Sequence, residues 1–240
     1  MQWLQDMWTK EGAGISRDAP KKTGLALFAA IFAREWWEMV KLNILFLLTA
    51  MFVVTLPAAL VAMARVCVAF TEDRNIYLLR DFLEALARYF WRATAWGLAF
   101  AAVLGIWGYA VIAYAASARD NLLLAVPLTI SLVMLVFVAV VACHLLVLLV
   151  MRDLSALKML RLAALASIVR PLPALGALAF ATTLWLVHIA FYPVSVFMPA
   201  TLNFSLGMFA VTFAVHRAAT MVLATQQDSE PHVRNASQRI

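Results

Sequence analysis

The apolar run from Leu42 to Ala64 is long enough to cross a bilayer once, yet it carries Val53-Val54-Thr55-Leu56-Pro57 in its middle. A transmembrane helix needs about 20 mostly apolar residues, and a proline inside such a run either kinks the helix or marks a turn. Four further runs reach the same length: Thr94 to Ser117, Asn121 to Met151, Ala174 to Ala200 and Leu202 to Leu223. Charged residues make up 13% of the chain and hydrophobic ones 65%, whereas soluble domains carry about 25% charged residues. The expected fold is an all-α, polytopic membrane helix bundle. Its segments are a polar or interfacial N-terminus (1–24), the bundle (25–224) and a polar C-terminal tail (225–240). The spans consume the length, so no soluble catalytic domain is expected.

Basic residues orient the spans, because short cytoplasmic connections are enriched in Lys and Arg. Lys10, Arg17, Lys21, Lys22, Arg34 and Lys41 precede the first apolar stretch, and Arg65, Arg74, Arg80, Arg88 and Arg92 follow it. The next connection holds only Arg119 beside Asp120; the third carries Arg152, Lys158, Arg161 and Arg170; the fourth is uncharged; the tail has Arg234 and Arg239. Both flanks of the first run are therefore basic, which one crossing does not allow. Two crossings remove the conflict: a first helix through Trp36 to Thr55, extended back through Leu25 to Phe32, a turn near Leu56-Pro57, and a second helix from Ala58 to Phe70. At 1.5 Å per residue the second is only about 20 Å long, so it would be tilted or re-entrant. Six membrane-inserted helices with both termini cytoplasmic is the preferred reading. Five spans with the N-terminus outside is the alternative. The N-terminal segment lacks the compact apolar core of a cleavable signal peptide, and Trp3, Leu4, Met7 and Trp8 suit an interfacial anchor.

Two cytoplasmic segments have two-sided character. Between residues 72 and 92, Leu79, Phe82, Leu83, Leu86 and Phe90 recur at three- and four-residue steps, with Arg80, Asp81, Glu84 and Arg88 on the other face. Glu84 is one turn from both Arg80 and Arg88, within pairing reach. The pattern predicts an interfacial helix lying on the cytoplasmic surface. The connection 152–171, with Lys158 and Arg161 one turn apart, repeats the theme. These faces either pack on the bundle or present a surface to a partner or to lipid, with Arg80, Asp81, Phe82, Leu83, Glu84, Arg88, Lys158 and Arg161 as the candidates. The net charge of +6 is spread along juxtamembrane segments, which points to anionic headgroups and away from nucleic acid.

Polar groups within spans are few. Asn43, Thr55 and Arg65, with Pro57 at the turn, are the candidates for a polar pathway, although Arg65 and Arg217 also suit snorkelling near span ends. His144 and His188 fall at different depths, about 10 and 20 Å from the inner end at 1.5 Å per residue, and no Glu-x-x-His, Cys-x-x-Cys or intramembrane carboxylate accompanies them. Cys67 and Cys143 read as packing residues. No nucleophile-base arrangement, phosphate loop or ATP motif is present. No catalytic residue, metal or cofactor is therefore expected.

From Val40 to Ala93 the sequence resembles the YesL family of bacterial integral membrane proteins, also known as DUF624. The resemblance rests on Leu42-Asn43, on Val53-Val54-Thr55-Leu56 followed by Ala58-Ala59, and on Asp81-Phe82 with Ala85, Phe90 and Ala93. Family members usually read Pro-Val-Val-Thr-Ile-Gly at the middle motif; here Phe52 stands in place of that proline and Pro57 in place of the glycine. The resemblance implies a bacterial inner-membrane protein with an accessory role near carbohydrate uptake, and it implies no active-site residues. Two functions compete on this basis. One is a non-enzymatic accessory protein that binds an ABC-type sugar transporter permease or forms a homo-oligomer. The other is a small transporter or channel for a polar solute, its pathway lined by Asn43, Thr55 and Arg65.

Overall fold

The computed structural model describes residues 22–118 and 121–237, with side chains described as far as residue 226. Seven α-helices occur among them: α1 (Gly24–Ala50), α2 (Leu56–Thr71), α3 (Leu78–Ser117), α4 (Ala125–Met151), α5 (Ala156–Val169), α6 (Pro171–Ala190) and α7 (Phe204–Ser237). Short 3-10 turns at Val53–Thr55 and Leu122–Leu124 and a π-type turn at Pro199–Asn203 complete the order. Among the described residues five helical stretches are long and apolar enough to cross a membrane: Val53–Thr71, Leu78–Ser117, Leu122–Met151, Pro171–Ala190 and Pro199–Gln226. The chain is a multi-pass helical membrane bundle. Residues 1–21, with Trp3, Leu4, Met7 and Trp8, lie outside the described residues.

The central apolar run is a hairpin. Arg34 on α1 reaches Asp73 just beyond α2, with Nη2 to Oδ1 at 2.7 Å, whereas a single straight helix would set these residues about 58 Å apart. The reversal comes slightly earlier than the sequence predicts, at residues 51–55, and Leu56 and Pro57 already belong to α2. Proline fits there because first-turn N–H groups lack intrahelical partners. At its other end α2 stops where Asp73 adopts φ +53° and the Arg74 amide donates to the Ala69 carbonyl, 3.0 Å away. That is a left-handed cap, a conformation Asp accepts more readily than most residues.

The hairpin is the bundle's centre. On α2 every residue from Ala58 to Phe70 is buried except Leu60 and Arg65. One face packs on Ile31, Met39, Leu42 and Phe46 of α1 and on Phe82 of α3. The other joins Val140, Leu145 and Leu148 of α4 with Val215 and Ala219 of α7. Long-range pairs of ionisable groups gather at one end: Arg34 to Asp73, Glu72 Oε1 to His216 Nε2 at 3.0 Å, and Arg92 to Asp153. The basic connections therefore share one end of the bundle, hereafter the basic end. Toward the opposite end α3 and α4 run on with little cover, and between Ala93 and Val140 only Ser131 is buried among the described residues.

Four boundaries differ from the sequence-based expectation. The amphipathic stretch 72–92 is not a separate interfacial helix. Residues 72–77 form the turn, and Leu78 onward is the start of a 40-residue helix that continues without a break to Ser117. Thr94 and Gly97 lie where the amphipathic pattern gives way to the apolar one, yet the helix runs through both, and Thr94 Oγ1 donates back to the Phe90 carbonyl at 2.8 Å. Its buried side also keeps only part of the predicted one, because Phe82 and Ala85 face α1 and α2 while Leu79 and Leu83 are exposed. The run Ala174 to Ala200 leaves the α-helix at Ala190, where Pro193 lacks an amide donor; the chain turns through residues 191–197, and helical backbone resumes at Met198. Finally, the backbone stays helical to Ser237, so no structural break marks a tail at 225.

Candidate functional site: a charged cleft at the basic end

Asn43, Thr55 and Pro57 take up positions in the framework. Asn43 is fully buried on α1. Its Nδ2 donates to the carbonyls of Pro199 (2.9 Å) and Ala200 (2.8 Å), and its Oδ1 accepts from the amides of Phe204 and Ser205, both at 3.0 Å. This single amide satisfies the broken backbone between the π-type turn and α7, where no water is at hand to do so. Thr55 Oγ1 donates within the hairpin turn, to the carbonyl of Thr49 and to that of Phe52, the latter at 2.7 Å. Pro57 lies against Gly97 of α3 so closely that a Cβ at Gly97 would sit 2.6 Å from the proline Cβ. Asn43, Thr55 and Arg65 do not share one hydrogen-bonded group among the described residues. The first two spend their hydrogen bonds on backbone, and Arg65 belongs to a separate place.

Arg65 is the one charge on the buried helix α2, six residues from its end, or about 9 Å along the axis. Its side chain extends toward the basic end and lines a cleft of about 180 Å³ between α2 and α3, together with Arg74, Asp81, Glu84, Arg88 and Tyr89. The flanking Ala64 and Val66 are buried, so the helix holds the arginine root rigidly while its head reaches the polar zone. The cleft wall is partly committed. Asp81 accepts from the Tyr77 amide at 3.0 Å, closing the first turn of α3, and from Arg80 Nε at 3.1 Å. Arg74 pairs with Glu72 at 2.5 Å. The Arg88 guanidinium stands 5.7 Å from the Tyr89 ring centroid.

Among the described residues Arg65 forms no side-chain hydrogen bond or ion pair, and Glu84 pairs with neither Arg80 nor Arg88. With Arg74 paired to Glu72 and Asp81 engaged by the Tyr77 amide and Arg80, Arg65 and Arg88 are left facing the single carboxylate of Glu84. Such a cleft suits an anionic group held by the planar fork of arginine. Of the surface candidates, Asp81, Glu84 and Arg88 line this cleft with Arg65. Arg80 sits at its edge, stacked 4.5 Å over the Tyr77 ring. Leu83 is exposed beside it, whereas Phe82 is fully buried and serves packing. Lys158 and Arg161 lie apart, on α5.

Arg74 and Tyr89 were not legible as members of this group. Arg74 read only as a loop charge, and no spacing rule joins a residue before α3 to one three turns along it. The histidines stay apart as well. His144 Nδ1 bonds to the Val140 carbonyl at 2.9 Å and to Ser167 Oγ at 3.2 Å, while His188 Nδ1 bonds to Ser195 at 3.0 Å. Among the described residues no three His, Cys, Asp or Glu gather in a metal-binding arrangement.

The residues carrying the family resemblance are those that fix this architecture: Leu42 and Asn43, the Val53-Val54-Thr55 turn, buried Ala58 and Ala59, Asp81 and Phe82, and buried Ala85 and Ala93. No curated protein and no solved structure matches the chain. Residues 39–111, which hold the hairpin, the cleft and most of α3, match the model of the family described as "Protein of unknown function, DUF624".

Proposed function

We propose that this chain is a non-enzymatic membrane accessory protein that binds an acidic segment of a membrane partner at the cleft of Arg65, Arg74 and Arg88. The observation behind this reading is Arg65 itself: a half-buried arginine on an otherwise apolar helix, its head in the cleft without an internal counter-ion among the described residues. A guanidinium placed in this way presents its planar fork to an incoming anion. A partner carboxylate or an anionic headgroup supplies the pair. Exposed Tyr77, Leu79 and Leu83 beside the cleft add apolar surface of the kind that accompanies a charged anchor. In this reading the basic end is cytoplasmic, the membrane is the bacterial inner membrane, and the family resemblance suggests an ABC-type sugar permease as the partner.

The transporter alternative draws less support from the geometry. Asn43 spends both donors and both acceptor sites on backbone, the Thr55 hydroxyl donates to backbone within the turn, and Ala62, Met63 and Val66 are packed beside the cleft floor. Co-purification from native membranes discriminates the readings. Wild-type protein should retain a membrane partner that Arg65→Gln and Leu83→Asp each release, with both variants still extracted as monodisperse protein. Solute uptake by the purified chain in liposomes, with no partner retained, would overturn the accessory reading.

A further inference from the structure

A second cavity, of about 670 Å³, lies on the other side of α2, walled by α2, α3, α4, α6 and α7. Trp96, Phe100, Leu146, Trp185 and Phe204 are among its large side chains, and its lining is mainly hydrophobic, with Asn203 the one amide beside the indole N–H groups of Trp96 and Trp185 and the Cys143 thiol. That residue is 3% exposed, and its amide nitrogen finds no acceptor. Asn43 offers the contrast, since it uses both amide hydrogens on carbonyls of the same π-type turn.

A buried amide donor without an acceptor costs about 1–3 kcal/mol in proteins, and the hydrocarbon layer offers no water to relieve it. A trapped water is a poor solution, because one water takes up only about 30 Å³ and further waters along the mainly apolar walls would lack the roughly two to four polar partners each needs. An apolar molecule bearing an oxygen acceptor meets both demands: its body fills the cavity and its oxygen takes the Asn203 hydrogen. The volume falls in the range of roughly 300–1,000 Å³ of sites that hold small molecules, and an apolar wall with few polar groups is their usual character. Entry is from the bilayer, since Val53 and Leu98 on the rim are 79% and 65% exposed.

We infer that this cavity binds a membrane amphiphile by its hydrocarbon chain, with an ester carbonyl or hydroxyl oxygen accepting from Asn203 Nδ2. The chemistry is shared by acyl lipids and by polyprenols. The site is separate from the charged cleft, so it stands or falls independently of partner binding there.

The test uses the full chain in nanodiscs that carry either a phosphatidylglycerol with a diazirine in its acyl chain or a diazirine-bearing polyprenol. Photolysis should cross-link one probe to peptides around Trp96–Leu104 and Phe204–Val211, and the probe that labels identifies the class. Asn203→Leu, close in volume but without the donor, should reduce that labelling about tenfold, the effect of one hydrogen bond of ~1.4 kcal/mol. Leu98→Trp changes only an exposed rim position and should also reduce it, which keeps the test valid where Asn203→Leu fails to fold. Labelling at the cavity no stronger than at exposed Ile112, or cavity labelling that both variants retain, would overturn the inference.

Discussion

Asn43 and Thr55 were conspicuous as polar residues in an apolar run, and the same two residues spend their hydrogen bonds on backbone that the helix breaks expose. The partners of Asn43 lie 156 to 162 residues away. Asn43→Ala would strand two carbonyls and two amides, and we expect a loss of about 2–4 kcal/mol, read as a lower midpoint in a thermal or denaturant melt in detergent. Asn43→Asp should fare no better, because it removes both donors to Pro199 and Ala200 and places a carboxylate among carbonyls. The residue type was legible; its task was not, since a side chain's partners across the bundle leave no trace in local spacing. Arg65 is the converse case. Its snorkelling could be read from its place near a span end, while the company of Arg74, Glu84 and Arg88 depended on how α2 and α3 dock.

Among the elements, α2 and α3 define the site, and one contact sets their approach. Gly97 lets Pro57 lie where any Cβ would collide at 2.6 Å, so Gly97→Leu should push the two helices apart, loosen the cleft and the apolar cavity together, and reduce monodisperse recovery on size-exclusion chromatography. Gly105, whose added Cβ would meet nothing within 4 Å, is the control: Gly105→Leu should be recovered like wild type. On the opposite flank of α3, Phe82→Ala should cost about 3 kcal/mol because it empties a fully buried ring position. Leu83→Asp, one residue on, should leave the same melt within about 0.5 kcal/mol, as is usual for surface substitutions. The amphipathic pattern correctly marked this segment as two-sided. Phe82, Leu86 and Phe90 pack inward as the pattern expects, while Leu79 and Leu83 are exposed, because the helix continues into a span and takes its rotation from α1 and α2 rather than from a membrane surface.

At the scale of the molecule, the hairpin brings α1 back to the basic end, where Arg34, Glu72, Arg92, Asp153 and His216 tie the connections together. Individually such exposed pairs contribute about 0–1 kcal/mol, so they record the arrangement more than they enforce it. The enforcement comes from α2, whose buried small residues let the surrounding helices close around it. A membrane-impermeant maleimide checks the arrangement in cells. Lys22→Cys and Asn75→Cys should react from one side of the membrane and Leu122→Cys from the other, against native Cys67 and Cys143, which are buried and half-buried. Opposite-side labelling of positions 22 and 75 would remove the hairpin.

The sequence by itself determined that this chain is a helical membrane bundle, where its apolar runs fall, and that its basic connections share one end. Those properties follow from a bilayer's demand for about 20 apolar residues per helical crossing and from its charge asymmetry, and both act along the chain. Only the tertiary structure decided that α3 is one uninterrupted helix, that Asn43 seals the start of α7, and that Arg65 meets Arg74 and Arg88 while Asn203 faces an apolar cavity. Hydropathy records how far a segment prefers lipid over water. It is silent on which helix faces which, and that choice is made by side-chain packing and by the pairing of polar groups that hydrocarbon leaves no other way to satisfy.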